Sequence, residues 1–493
     1  MGSIPKRPYL SAIHDRLPMT EAIPAIQAAE DNTPPTRKEL AFYAMGAMSG
    51  SLANGVLGAL TLPIFNMVLG LNPAWIGMVG ASASMLAAFL DPVMGHVGDR
   101  TRTPWGRRRP YIVAGGTLIA FTISVFFFVN PKWSTPVIFA WYVGFLFLML
   151  IGNSLVGVSY YALGIEMATD YDQRTRVVAW RSVFDKVSGI AGNWYFRFAE
   201  LFASALSGAR ILSLIVAVLG LGAAVAVAAN VKERKYHAAV AESRNKQEGF
   251  WKSAGFILGN RTYLRLLFVW IVFSLNLGIF ASLGLYLNVY YVFGGDKAAG
   301  ATLGGTIGTL GILTSLAAIP ISTWACRVFG KHITLIAALW LYIAGSILKW
   351  WCISPQHPWL QLILPFFFSI GISSVYMVMA SMQADVVDLD ELEHGGRREG
   401  MFGAIGGWIM KFGGAIAVGL SGWVLVWTGF DVKLGGAQAD GVFFAMRLCF
   451  SIIPAAGCLL ALLAARNWPL TRERCEEIQS LLLKKREVAM AQK

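Results

Sequence analysis

Long apolar stretches alternate with short polar ones along almost the whole chain. Runs of about twenty or more largely apolar residues fall at 40–62, 75–97, 110–129, 136–164, 177–206, 210–229, 263–292, 301–325, 332–352, 359–384, 400–428 and 441–465. A helix needs ~20 such residues to cross the hydrocarbon of a bilayer, where only helices and closed barrels satisfy their own backbone. The pattern predicts an all-α polytopic membrane protein of twelve transmembrane helices. Its longest internal polar interruption, 230–262, divides them into two six-helix bundles. The expected organisation is a tail over 1–38, a first bundle over 39–229, a loop over 230–262, a second bundle over 263–466 and a tail over 467–493.

Composition agrees. Of 493 residues 56% are hydrophobic and 14% charged, whereas soluble domains carry ~25% charged residues. The net charge of +13 invites a nucleic-acid reading, but its distribution removes it. Lys and Arg gather in the two tails, in 230–262 and in the loops after spans 2, 4, 8 and 10; the opposite loops offer Lys132, Arg210, Lys297 and Lys433. The positive-inside rule then places both ends in the cytoplasm of a plasma-membrane protein, with membrane lipids as neighbours, no nucleic-acid partner and a monomer as the expected state. Residues 1–38 are polar, contain Pro5, Pro8, Pro18, Pro24, Pro34 and Pro35, and lack the apolar core of a leader, so a flexible tail is expected. Residues 467–493 place Ile478, Leu481 and Leu482 on one helical face, which suits either a helix on the inner leaflet or a solvated one. The five cysteines are scattered, without CxxC spacing, and read as packing residues; no metal site or cofactor is expected.

Charge inside a bilayer is costly, roughly 2.5–3.5 kcal/mol per residue on insertion scales, and points to function. Asp91 lies ~12 Å inside the end of span 2 by the helical rise, and Lys411 lies near mid-depth in span 11. They are the candidate cation-coupling pair. Arg181 and Asp185 stand one turn apart on span 5, ahead of Lys186, and can neutralise each other. Asn54, in a glycine stripe on span 1, with Asn153, Asn193 and Asn276, adds amides to apolar spans; Asn193 adjoins Trp194, a pairing that suits sugar hydroxyls and a sugar ring. At the basic face, Asp99, Arg100, Arg107, Arg108 and Arg109 after span 2 meet acidic loops after span 4 (Glu166, Asp170, with Arg174) and span 10 (Asp385, Asp388, with Arg397 and Arg398). That arrangement suggests a gate whose ion pairs break as the face opens. The acidic-then-basic echo after spans 4 and 10 also suits parallel repeats around a midplane cavity.

With these residues in place, the chain resembles the glycoside–pentoside–hexuronide:cation symporters, the branch of the major facilitator superfamily that includes the melibiose permeases. The resemblance rests on DPVMGHVGDRTRTPWGRRRP (91–110), ADVVDLDELEHGGRREGMF (384–402), MRLCFSIIPAAG (446–457) and NWPLT (467–471), and covers about 39 to 480. It implies two six-helix bundles and cation-driven uptake of a sugar or glycoside. It also implies a substrate role for Ser51, where the family has an acid, for Tyr161, and for Arg181 and Lys411 as kept basic residues. The family's paired acids on span 2 fall at Ala87 and Asp91, so only the second is present, and the span 4 acid falls at Gly157. One carboxylate serves a proton better than a sodium ion, so of the coupling ions H+ and Na+ the expectation is H+. A non-sugar substrate such as a lysolipid would fit the same fold. The DxD spacings Asp170-Tyr171-Asp172 and Asp388-Leu389-Asp390 sit in short turns with no catalytic domain around them, so an enzyme is not expected.

Overall fold

Helix starts are written in local capping chemistry. Thr36 and Glu39 form a reciprocal capping box at the start of α1 (Arg37–Thr61). Asn72 caps α2 (Pro73–Arg100) through the Ala74 N–H at 2.8 Å. The computed structural model describes residues 35–101, 103–167, 171–233, 259–279, 281–394, 399–439 and 441–491. The first half continues with α3 (Arg109–Phe126), α4 (Thr135–Glu166), α5 (Tyr171–Ala199) and α6 (Ala205–Asn230). The second half opens with α7, described as Arg261–Ile279 and Ala281–Tyr286. It continues with α8 (Lys297–Phe329), α9 (Lys331–Cys352), α10 (Leu364–His394), α11 (Glu399–Trp427) and α12 (Val442–Ala465). A last helix, α13, spans Arg472–Ala491. Each apolar run of the sequence is thus met by a helix.

Eleven of the described helices are long and apolar enough to cross a membrane. The exception among the twelve is α5, which carries Arg176, Arg181, Asp185, Lys186 and Arg197 along its length. It packs between α1 and α8 all the same, which requires its charges to find partners.

The first helix of each half ends in the same device. A π turn over Leu62–Val68 closes α1, another over Leu287–Val292 closes α7, and each is followed by glycine at positive φ (Gly70 at 72°, Gly294 at 59°). Asn66, in the first π turn, bonds the Leu71 carbonyl at 2.8 Å and accepts from Tyr286 Oη at 2.6 Å across the two halves. Around this buried bond Phe65, Phe126 and Tyr142 share one apolar core with Leu287, Val424 and Met446. The halves are therefore joined at the end opposite the basic loops. There a Cβ on Gly422 would sit 2.0 Å from the Pro73 carbonyl, so α2 and α11 meet backbone to backbone.

The C-terminal helix docks on the second half. Ile478 and Leu482 are 1% and 5% exposed, docked into the second core beside Met382, while Leu481 points outward. Helix α10 offers Ile478 and Leu482 a packed surface. Burial and the adjoining Asp385 carboxylate push the Cys475 thiol on this helix up to about 11, in keeping with a packing role. Since a short helix is marginal alone and burying an Ile contributes about 1.5–3 kcal/mol, Ile478→Asp is expected to release α13. Trypsin should then cut at Arg472 or Arg474 several-fold faster than in the parent protein, and an unchanged cleavage rate would refute the docking.

Candidate functional site

Asp91 stands beside Pro92 in α2, where proline removes one helical hydrogen bond. One carboxylate oxygen accepts from Ser154 Oγ of α4 at 2.6 Å, and the other accepts from the Lys411 ammonium of α11. The pair joins the two halves. It remains partly exposed, with the side chain of Asp91 at 28% and that of Lys411 at 45%. Phe89 frames it, with its ring centroid 5.4 Å from that of Trp408.

From this pair a polar belt runs through the first half. Asn153, next to Ser154 on α4, exchanges two 3.1 Å hydrogen bonds with Asn54 on α1. One turn away on α1, Ser51 Oγ donates to Asp185 of α5 at 2.8 Å. Asp185 is paired with Arg181 at 3.5 Å, and Arg181 in turn donates to Tyr161 Oη and lies 4.0 Å from the centre of that ring. The order is α5, α1, α4, α2, α11. Each formal charge named in the belt is matched by an opposite one, as a low-dielectric setting requires. Asn54 and Tyr161 are exposed, and a Cβ on Gly157 would meet nothing within 4 Å, so the belt borders open space.

The other amides are placed differently. Asn193 and Trp194 lie in the seam between α5 and α8: Trp194 Nε1 donates to Thr309 Oγ1 at 2.9 Å, and the two side chains press on Gly308 and Gly305. Trp194 therefore closes an interhelical contact, and the aromatic face beside the belt is that of Tyr161. Lys186 reaches Ser315 Oγ at 3.2 Å across the same seam. Asn276 is 8% exposed and directed at Cys458 Sγ, 3.8 Å away inside the second half, apart from the belt.

The described basic-face residues form ion pairs within each half. Arg107 and Arg108 pair with Glu166 of their own half at 2.8 and 3.3 Å. Glu233, just past α6, accepts from the backbone N–H groups of Arg107, Arg108 and Arg109 at 2.6–2.9 Å and so caps α3. Gly106, at φ 106°, leaves room for that carboxylate. Lys331 likewise pairs with Asp385 within the second half at 2.7 Å. These pairs are formed while the belt stands exposed, and both partners of each belong to one half, where they brace its loops. Arg100 is exposed and Asp388 half-buried; Asp170, Arg397 and Arg398 lie outside the described residues, as do the side chains of Asp99 and Arg174.

Sequence reasoning left out Ser154 and gave Asp185 only a self-neutralising role. Nothing in the sequence separates these hydroxyls and this i,i+4 pair from ordinary packing; only the helix order shows that they link Asp91 to Arg181.

The profile of the MFS/sugar transport protein family matches residues 42–472. The chain is 23% identical to the uncharacterized symporter sll1374 of Synechocystis, over 89% of this chain and 95% of that one. It is 24% identical to the isoprimeverose transporter of Lactiplantibacillus pentosus, over 90% and 91% of the two. Among solved structures, the D-xylose-proton symporter superposes with a TM-score of 0.58 at 14% identity, over 87% of this chain and 96% of that one.

Asp91→Ala strands the Lys411 ammonium and Lys411→Ala strands the carboxylate, so each single change is expected to lower the thermal midpoint of the purified protein more than half as much as both together. A partly exposed pair is worth about 0.2–1 kcal/mol, and that is the coupling the double-mutant cycle should return. Strict additivity would mean that the two groups do not interact.

Proposed function

The chain belongs to the MFS/sugar transport protein family, and from that premise we propose that it is a secondary transporter in which a proton taken by Asp91 drives uptake of a sugar or glycoside. The relatives are named as transporters and symporters, so the activity is carriage across a membrane and not catalysis. The observation that supports the reading most is the Asp91–Lys411 bond, which spans the two halves at the wall of an open cleft.

Its physics suits a switch. Two unit charges at 4 Å attract by about 1 kcal/mol in water and about 4 kcal/mol at an effective dielectric of 20. The same pair is weak while the cleft is hydrated and strong once the cleft closes. A proton on Asp91 cancels the attraction and frees the Lys411 ammonium to donate to substrate. That change is of the few-kcal/mol size that shifts a two-state equilibrium. Sodium is the poorer fit, since a hard cation wants several oxygen ligands. The Asp91 oxygens are engaged by a hydroxyl and by an ammonium, which repels a metal ion, and Asp185 is engaged by Ser51 and Arg181.

The sugar would lie along the belt. The Tyr161 face takes the ring, and Arg181, Asp185 and the Asn54–Asn153 amides exchange hydrogen bonds with hydroxyls. Asp185 held by Ser51 supplies a carboxylate near the place where the family carries one on its first helix. The basic face is cytoplasmic in this reading, with both termini on the inner side of the plasma membrane.

Protein reconstituted in vesicles is expected to accumulate labelled D-xylose or isoprimeverose under an imposed proton gradient and not under a sodium gradient alone. Asp91→Asn should retain equilibration but lose accumulation by tenfold or more. Sodium-driven accumulation, or an Asp91→Asn protein that concentrates sugar with unchanged pH dependence, would overturn the reading.

A further inference from the structure

A second cation lies deep in the second half, away from the belt. Lys349 of α9 is 9% exposed, with its ammonium 4.0 Å from the Phe368 ring centre and 3.9 Å from that of Phe450. Its one described hydrogen bond goes to the Phe450 carbonyl, at 3.5 Å. No carboxylate can come to it from this part of the chain: 261–295, 301–384, 401–430 and 441–465 contain neither Asp nor Glu. Arg447, whose guanidinium bonds Tyr291 and Trp350, adds further positive charge to the same end of the half.

Beside Lys349 is a second unmet donor. Gln361, on the short turn Pro358–Ile363 before α10, is 3% exposed, and its Nε2 has no hydrogen-bond partner among the described residues. Both side chains line one cavity of about 550 Å³, together with Asn193, Asn288, Phe368 and Ser369. A buried ammonium without a counter-charge and a buried amide without an acceptor are each costly. A ligand bearing negative charge and two acceptor oxygens removes both costs. The cavity is far larger than a bare inorganic ion, and two aromatic rings wall it, so the ligand has a carbon body.

We propose that this cavity binds a small organic carboxylate, whose oxygens accept from Lys349 Nζ and Gln361 Nε2 and whose carbon skeleton rests on Phe368 and Phe450. Asn193 and Gly308 line the cavity and also meet in the α5 and α8 seam, so the cavity adjoins that seam. The site is separate from Asp91 and Lys411, and its test reads binding, so it stands or falls apart from the transport proposal.

The thermal midpoint of the purified full-length protein can be followed while sodium chloride is replaced by sodium acetate or sodium pyruvate at constant ionic strength. A saturable upward shift is expected with the carboxylates and none with chloride. Lys349→Met should weaken the apparent affinity at least tenfold and Gln361→Leu severalfold, whereas Lys411→Gln should leave it as in the parent. Gln361→Leu keeps the charge in place and so tests the site even where Lys349→Met folds poorly. Equal shifts with chloride, no saturable shift, or a response lost in Lys411→Gln and kept in Lys349→Met would overturn the proposal.

Discussion

A charge inside a membrane protein must be paired, hydrated or neutralised, and the middle of this molecule is arranged around that constraint. Asp91 has Ser154 and Lys411; Asp185 has Ser51 and Arg181; Lys186 has a hydroxyl across the seam. The partners come from five different helices, so each pairing also sets how those helices sit against one another. Helix α5 is the clearest case. It is too charged to pass as a membrane span on composition, yet it stands among spans, with Asp185 and Arg181 paired along the helix and bonded laterally to Ser51 of α1 and Tyr161 of α4.

The contacts between halves divide by depth. Toward the end opposite the basic loops they are apolar and close, with glycines of α2 and α11 touching backbone, Trp194 over Gly305, and Tyr286 bonded to Asn66. At the Asp91–Lys411 pair they are ionic and partly exposed. Close-packed glycine surfaces rearrange by parting as units, whereas an ion pair responds to protonation and solvent. Two kinds of contact at two levels are what the proposed transport cycle would use to pass a chemical event at one level to the other. The π turns that end α1 and α7 sit at corresponding places in the two halves, next to the tight contacts, where widened helical turns and positive-φ glycines accommodate a change of angle.

Lys349 is the counter-example to the belt. There, among the described residues, stand an amine, two aromatic rings and an amide nitrogen without a partner, and no acid is paired with the amine. Aromatic faces only partly replace a counter-ion. The imbalance therefore belongs to the unliganded protein and disappears when something anionic is bound.

Much of this was legible in the chain. Apolar runs of bilayer length dictate where helices lie because no other backbone is tolerated in hydrocarbon, so α1 to α12 appear where periodicity and run length place them. Isolated charges such as Asp91 and Lys411 announce themselves because they are expensive there. Loop charges such as Arg107, Arg108 and Glu166 look alike in sequence whether they brace one half or fasten two. Nor does the apolar stripe of the C-terminal helix say what covers it. Which acid meets which base, that Ser51 and Ser154 connect α1 and α4 to the charged helices, and that Lys349 and Gln361 share a cavity were decided by packing alone. Local sequence determines what must be buried, but partners far apart in the chain meet only once helix order and tilt are set by side-chain shape.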